Sequence, residues 1–135
     1  MKCLFCSWLE KRNQILWKNE NAVVFVANLA FTKGHLLVCS VKHFESIEDV
    51  PENIRKTIFE KCLEMGKKLQ EKLGVKGYTL GLNEKLYIVQ PEKKTHVKHI
   101  HMHVIPRKHD EKISFEERIH LTDQEVEELI RVLKS

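Results

Sequence analysis

Residues 22–28 (AVVFVAN) and 35–41 (HLLVCSV) are short runs of β-branched and apolar side chains separated by a connection that ends in Lys33-Gly34. Runs of this kind around a turn predict two strands paired antiparallel. Further on the period lengthens. Ile54, Ile58, Cys62, Met65, Leu69 and Leu73 recur on one helical face, with Asp49 and Pro51 as the start signal and Gly74 as the stop. A stripe of that length must pack on a sheet. Residues 77–83 (GYTLGLN) and 86–90 (LYIVQ) predict two more strands about an Asn83-Glu84-Lys85 turn, and 97–107 (VKHIHMHVIPR) predicts another. That last run reaches Pro106, which cannot donate to a sheet ladder. Thr122, followed three residues later by Glu125, opens a short C-terminal helix as a capping box, with Val126, Leu129, Ile130 and Leu133 on one face. The expected class is α+β, a mainly antiparallel sheet of about five strands with a long helix and a short C-terminal one.

Composition narrows the picture without changing it. A chain of 135 residues suits one domain spanning 1–135. Its net charge of +4 is spread through mixed-sign runs, which fits a solvated surface and an anionic small ligand as well as it fits nucleic acid. No apolar run reaches membrane-spanning length and the first residues lack a secretion pattern, so a cytoplasmic protein is expected. No segment dedicated to nucleic-acid binding stands out.

Four of the eight histidines fall within residues 96–103. In a strand, side chains two apart share a face at a spacing of roughly 6–7 Å, so His99, His101 and His103 project together while Ile100, Met102 and Val104 enter the core. Such a row suits contacts along an extended ligand better than three ligands around one ion. Imidazole, with an ordinary pKa of about 6.5, serves as nucleophile, donor or acid near neutral pH, and it can attack phosphorus to form a phosphoramidate. A single strand histidine is usually a surface residue, and two in alternation are often a metal pair. Three in register are harder to explain that way.

Of the four cysteines, Cys39 and Cys62 sit inside apolar segments and read as small buried hydrophobes. Cys3 and Cys6 form a Cys-x-x-Cys pair, which is either a redox motif or half of a zinc site. A redox pair belongs at a strand-to-helix junction in a βαβ pattern, and this chain shows no such pattern. Zinc is therefore favoured, with thiolate as one of its preferred ligands.

The stretch HVKHIHMHVIPR resembles the signature of the histidine triad, or HIT, superfamily: His-x-His-x-His with apolar x, followed by an apolar residue, Pro and Arg. Cys-Leu-Phe-Cys at 3–6, Lys33-Gly34-His35 with Leu36-Leu37-Val38, Lys42-His43-Phe44-Glu45, and Gly77-Tyr78 to Asn83 stand in the family's order, so the likeness covers residues 3–107 and leaves 108–135 as an extension. It implies a nucleotide hydrolase in which His101 attacks the α-phosphorus of a nucleoside 5′-phosphate derivative, giving a nucleotidyl-histidine that water resolves. By position, His103 would bond the same phosphate and support the leaving group, and His99 would orient the site or bind zinc. Asn83 and Asn28 match substrate contacts, Asn28 within one residue. The zinc-bearing branches imply a structural Zn(2+) held by Cys3, Cys6, His43 and His99, and a homodimer is the family's common state. His35 is expected to make structural hydrogen bonds, and His109 and His120 to lie on the surface. One departure stands out: where the family has Gly-Gln-Ser/Thr-Val, this chain reads Lys94-Thr95-His96-Val97. Thr95 and His96, with Lys93 or Lys94, would then replace the usual leaving-group contacts. The leaving group, a nucleotide or an amine, stays open. That loss also supports an alternative from another class, a nucleotide-binding module with little turnover. A third reading makes the triad itself a zinc cluster.

Overall fold

The computed structural model describes residues 3–93 and 96–135, so Thr95 and Lys94, both singled out above, lie outside the described residues. The chain opens with helix α1 (Leu4–Lys11), then strands β1 (Ile15–Lys18), β2 (Ala22–Val26), β3 (Leu29–Ala30) and β4 (Leu36–Ser40). The long helix α2 (Glu52–Leu73) follows, then β5 (Gly77–Leu82), a single turn α3 (Leu86–Val89), β6 (His101–Arg107), β7 (Ile119–His120) and α4 (Asp123–Lys134). Five strands form one antiparallel sheet in the order β1-β2-β4-β6-β5, and β3 pairs with β7 in a separate two-stranded ribbon. This is the expected α+β architecture.

Every residue of β2 and β4 is buried, because both faces of the sheet are covered. Alternation sends Ala22, Val24, Val26, Leu36, Val38 and Val104 to one face, where they meet Ile58, Cys62, Met65 and Leu69 of α2 and Val126, Leu129 and Leu133 of α4. The opposite face carries Val23, Phe25, Leu37 and Cys39 under Phe5 and Trp8 of α1. Cys39 and Cys62 are both buried, free thiols. Helix α2 ends on Gly74, whose φ of 69° is the left-handed conformation that glycine adopts without a Cβ penalty. The Thr122–Glu125 capping box is present in both directions.

Two expectations are corrected. Residues 86–90 are not a strand: Lys85 turns the chain through the left-handed region at φ 60°, and the Gln90 N–H closes a helical turn on the Leu86 carbonyl at 2.7 Å. Ile88 and Val89 stand largely exposed, so no buried face rewards pairing there. The fifth strand is instead β1, at the far edge of the sheet. The histidine strand begins at His101 rather than Val97. Its ladder partner β4 ends at Ser40, and the Ile100 N–H bonds the Phe44 carbonyl at 2.7 Å outside the ladder.

Candidate functional site

The register of β6 decides which chemistry faces which side. His101 pairs with Cys39 and His103 with Leu37 across β4, so both imidazoles lie on the face that α1 covers, while Val104 faces α2. His99 precedes the strand and is 1% exposed; His101 and His103 are 7% and 5% exposed. The three rings are therefore enclosed rather than displayed on a surface. Phe5 sets its ring edge-on to both His99 and His101, at centroid distances of 5.8 and 5.0 Å.

Each ring has one nitrogen bonded in a way that assigns its proton. His101 Nδ1 is 2.6 Å from the His99 carbonyl oxygen, which only accepts, so Nδ1 carries the hydrogen and Nε2 the lone pair. His99 Nε2 lies 2.7 Å from the Ser40 carbonyl and donates to it, which leaves the lone pair on Nδ1. The Ser40 hydroxyl donates to the Lys42 carbonyl at 2.7 Å and so presents only a lone pair to His99 Nε2. For His103 the assignment runs through His35. The Phe31 N–H donates to His35 Nδ1 at 3.2 Å, so His35 Nε2–H donates to His103 Nδ1 at 2.9 Å. His103 must then carry its proton on Nε2, a buried atom with no partner among the described residues. A buried donor without a partner costs about 1–3 kcal/mol and points to a ligand acceptor.

Burial holds these rings neutral. Desolvation pushes His35 down to about 3, with Arg118 and His101 adding cationic repulsion. His103 falls to about 2 for the same leading reason, aided by His101, His35 and Arg118. His99 is lowered to about 4 by burial against the opposing bond to Ser40, and His101 is lowered by burial against its bond to the His99 carbonyl. A neutral ring keeps its lone pair available.

Beside the triad, one ligand atom from each of Cys3, Cys6, His43 and His99 falls within 4.8 Å of the others, a set able to hold a metal ion. Cys3 is the N-cap of α1, where its sulfur accepts the Cys6 N–H at 3.2 Å. The free Nδ1 of His99 faces Cys3 Sγ at 3.4 Å and Cys6 Sγ at 3.7 Å, and His43 Nδ1 faces Cys6 Sγ at 3.6 Å. Glu45 Oε2 stands 3.8 Å from the other ring nitrogen of His43. His101 and His103 take no part in this set.

Two cavities open on either side of the triad. An apolar slot lies between Phe5, Trp8, Leu37 and Val97, with Asn28, His101 and His103 at its polar end. A groove on the other side is bordered by His103, Asn83, His96 and Lys93, with a small cleft at Asn83 and Tyr87 between the two. Asn28, Asn83 and His96 thus each line a cavity that a triad histidine also borders, and His96 Nε2 lies 2.9 Å from Gln90 Oε1. No Asp or Glu lines any of these cavities among the described residues. His109 and His120 are exposed, away from them.

Three contributions went unread in the sequence. Helix α1 supplies Phe5 and Trp8 to the slot; their spacing of three was a usable signal that the Cys-x-x-Cys pattern overshadowed. His35 makes the structural hydrogen bonds expected of it, but that one of them goes to His103 was not readable. Arg118, in the C-terminal extension, borders all three cavities, and nothing local marks it.

Among the described residues, no helix is long and apolar enough to cross a membrane. The model of the HIT domain matches residues 9–110. An uncharacterized HIT-like protein of Methanocaldococcus jannaschii is 29% identical over 107 residues, 78% of each chain. The fold superposes on a Zn-bound histidine triad family protein from Mycobacterium smegmatis with a TM-score of 0.80 and 26% identity, covering 99% of this chain and 94% of that one. It also superposes on the Plasmodium falciparum diadenosine triphosphate hydrolase with a TM-score of 0.75 and 19% identity, covering 91% and 75%. With most of its length, residues 9–110, matched by that domain, the chain belongs to the HIT family.

Proposed function

We propose that this protein hydrolyses a nucleoside 5′-phosphate derivative through a covalent intermediate on His101. The observation that carries the reading is the pair of opposed tautomers: a lone pair on His101 Nε2 beside an unpartnered N–H on His103 Nε2. The first is a nucleophile and the second a donor to a phosphoryl or leaving-group oxygen. The nucleoside would occupy the apolar slot, with Asn28 near the sugar and Asn83 near the phosphate.

In the first step the His101 Nε2 lone pair forms a bond to the α-phosphorus, and the bond from phosphorus to the leaving atom breaks with its electron pair. Positive charge then develops on the His101 ring, where the His99 carbonyl holds the Nδ1 proton. In the second step water attacks phosphorus, the N–P electron pair returns to His101, and the water proton is released. The Plasmodium relative's name as a diadenosine triphosphate hydrolase makes a dinucleoside polyphosphate a natural first substrate to try. A nucleoside phosphoramidate fits the same site. The rival reading, a binding module with little turnover, draws on the Lys94-Thr95-His96-Val97 departure.

The Cys3, Cys6, His43 and His99 set is proposed to hold a structural zinc ion. Zinc–sulfur and zinc–nitrogen bonds of about 2.3 and 2.05 Å set a tetrahedral S···N edge of about 3.6 Å. The observed S···N separations of 3.4, 3.7 and 3.6 Å match that edge. Zinc here would bind the N-terminal helix to the segment that carries the His99 carbonyl, and supplies fold stability rather than a reacting group. Self-association is likewise a proposal: Phe59 and Leu63 lie exposed four residues apart on the outer side of α2, and a symmetric dimer would cover them.

Three outcomes follow from this reading. Incubation with diadenosine polyphosphate or adenosine phosphoramidate should release AMP and place an adenylyl mass on the peptide bearing His101. His101→Ala should cut the rate by on the order of a thousandfold or more, and release that persists in this variant rules the mechanism out. Cys3→Ser with Cys6→Ser should bring the metal content, read by mass spectrometry of metals, from one zinc per chain to near none and lower the melting temperature; unchanged values in both remove the site. Stability should also depend on pH through His35. Its folded pKa of about 3 lies below the ordinary 6.5, so the unfolded chain takes up the proton first. The contribution is complete above pH 6.5 and is lost as pH falls towards 3. Denaturant titrations of His35→Gln should show a shallower acid-side slope, by about 1.4 kcal/mol per pH unit in that window, and an identical slope would show that the buried ring is not neutral.

A further inference from the structure

Arg118 reaches the triad from outside the region that carries the family's motifs. Pairing of β7 with β3, Leu29 opposite His120 and Ala30 opposite Ile119, lays the C-terminal segment beside the mouth of the site. The guanidinium lies 3.8 Å over the Phe31 ring, and Nη1 donates to the Leu29 carbonyl at 3.2 Å. Phe115 closes edge-on against the same Phe31 ring at 5.1 Å. Stacking and one hydrogen bond fix the plane of the fork, and its other N–H groups remain for an acceptor.

The position of the fork is informative. Arg118 and His103 are the two residues that border the slot, the cleft and the groove alike. On the groove side the neighbouring side chains include Lys93 and His96. Gly81, opposite His103 in the β5–β6 ladder, has nothing within 4 Å of where a Cβ would stand, so the groove floor beside His103 stays open. The groove therefore carries two cationic side chains, Arg118 held in place and Lys93 exposed, no carboxylate among its described lining residues, and His103 with its unpartnered N–H in its wall. A planar guanidinium engages phosphate oxygens in pairs, and charge-assisted bonds of that kind are roughly twice as strong as neutral ones.

We propose that Arg118, together with Lys93, determines leaving-group specificity: the two cations hold a phosphate-bearing leaving group in the groove and so select phosphoanhydrides over phosphoramidates. This rests on the hydrolase reading above. A neutral amine leaving group has nothing to offer the guanidinium, whereas each added phosphate brings oxygens to it and to Lys93. The C-terminal extension thereby supplies cationic contacts at the side of the site where the chain lacks the family's Gly-Gln pair.

The test compares kcat/KM for diadenosine tetraphosphate and for adenosine 5′-phosphoramidate in the full-length protein, its Arg118→Gln, Arg118→Lys and Lys93→Gln variants. The ratio of the two values should fall by about 30-fold in Arg118→Gln and by about tenfold in Lys93→Gln, with Arg118→Lys intermediate. Lys93 is exposed and distant in sequence from the β3–β7 ribbon, so its variant reads charge without touching the packing of the segment. An unchanged ratio in both glutamine variants, including the case in which both substrates suffer equally, overturns the assignment. Should the unaltered protein release AMP from neither substrate, the hydrolase reading fails instead, and calorimetric titration decides the arginine on its own: ATP should bind at least about tenfold more tightly than AMP, and Arg118→Gln should erase that difference. Equal affinities before substitution would overturn the proposal.

Discussion

A single backbone carbonyl sets the character of this site. The His99 oxygen, 2.6 Å from His101 Nδ1, forces the proton onto that nitrogen and leaves the other with its lone pair. Had Nδ1 faced a donor, the same residue in the same strand would present an N–H to its ligand instead. Neighbouring contacts act by the same logic with the opposite result. Phe31 and His35 load His103 Nε2 with a proton, and Ser40 turns the lone pair of His99 towards the cysteines. Three chemically identical side chains thus become three different tools through the atoms behind them.

That division requires enclosure, and the fold supplies it by covering both faces of the sheet. Helices α2 and α4 bury the aliphatic face, where most of the apolar packing resides. The face bearing the histidines is covered more thinly, by the short α1 with Phe5 and Trp8 and by Phe31 and Val97. Desolvation there keeps the rings neutral at physiological pH, and a neutral ring is both a nucleophile and a metal ligand. His99 belongs to both halves of the site: its ring faces the cysteines and its carbonyl holds His101. A change in how α1 sits therefore acts on the His101 ring both directly, through Phe5, and through His99.

How much of this could be read in advance follows the range of the interactions. The helical stripe of α2, the capping box of α4 and the three strands β2, β4 and β5 depend on spacing between near neighbours, and they were legible. The histidine row was legible for the same reason, since alternation alone puts His101 and His103 on one face. LYIVQ misled because its composition suits a strand while its fate was decided by the left-handed turn at Lys85 and by the lack of a face to bury Ile88. The Cys-x-x-Cys pair together with His43 and His99 was placed by resemblance, and the structure brings all four within reach of one ion. Arg118 escaped, and so did the partner of His35. His35 meets its partner 68 positions away, and Arg118 contacts the Leu29 carbonyl 89 positions away, separations at which no local pattern carries a signal.

The chemistry of the site depends on where the ring protons sit. Nitrogen-15 NMR of histidine-labelled, zinc-loaded protein near neutral pH distinguishes the two tautomers by the shifts of the protonated and unprotonated ring nitrogens. His101 should appear with its proton on Nδ1, and His103 with its proton on Nε2. A spectrum in which His101 carries its hydrogen on Nε2, or in which it is doubly protonated, would leave no lone pair for attack and contradict the central claim.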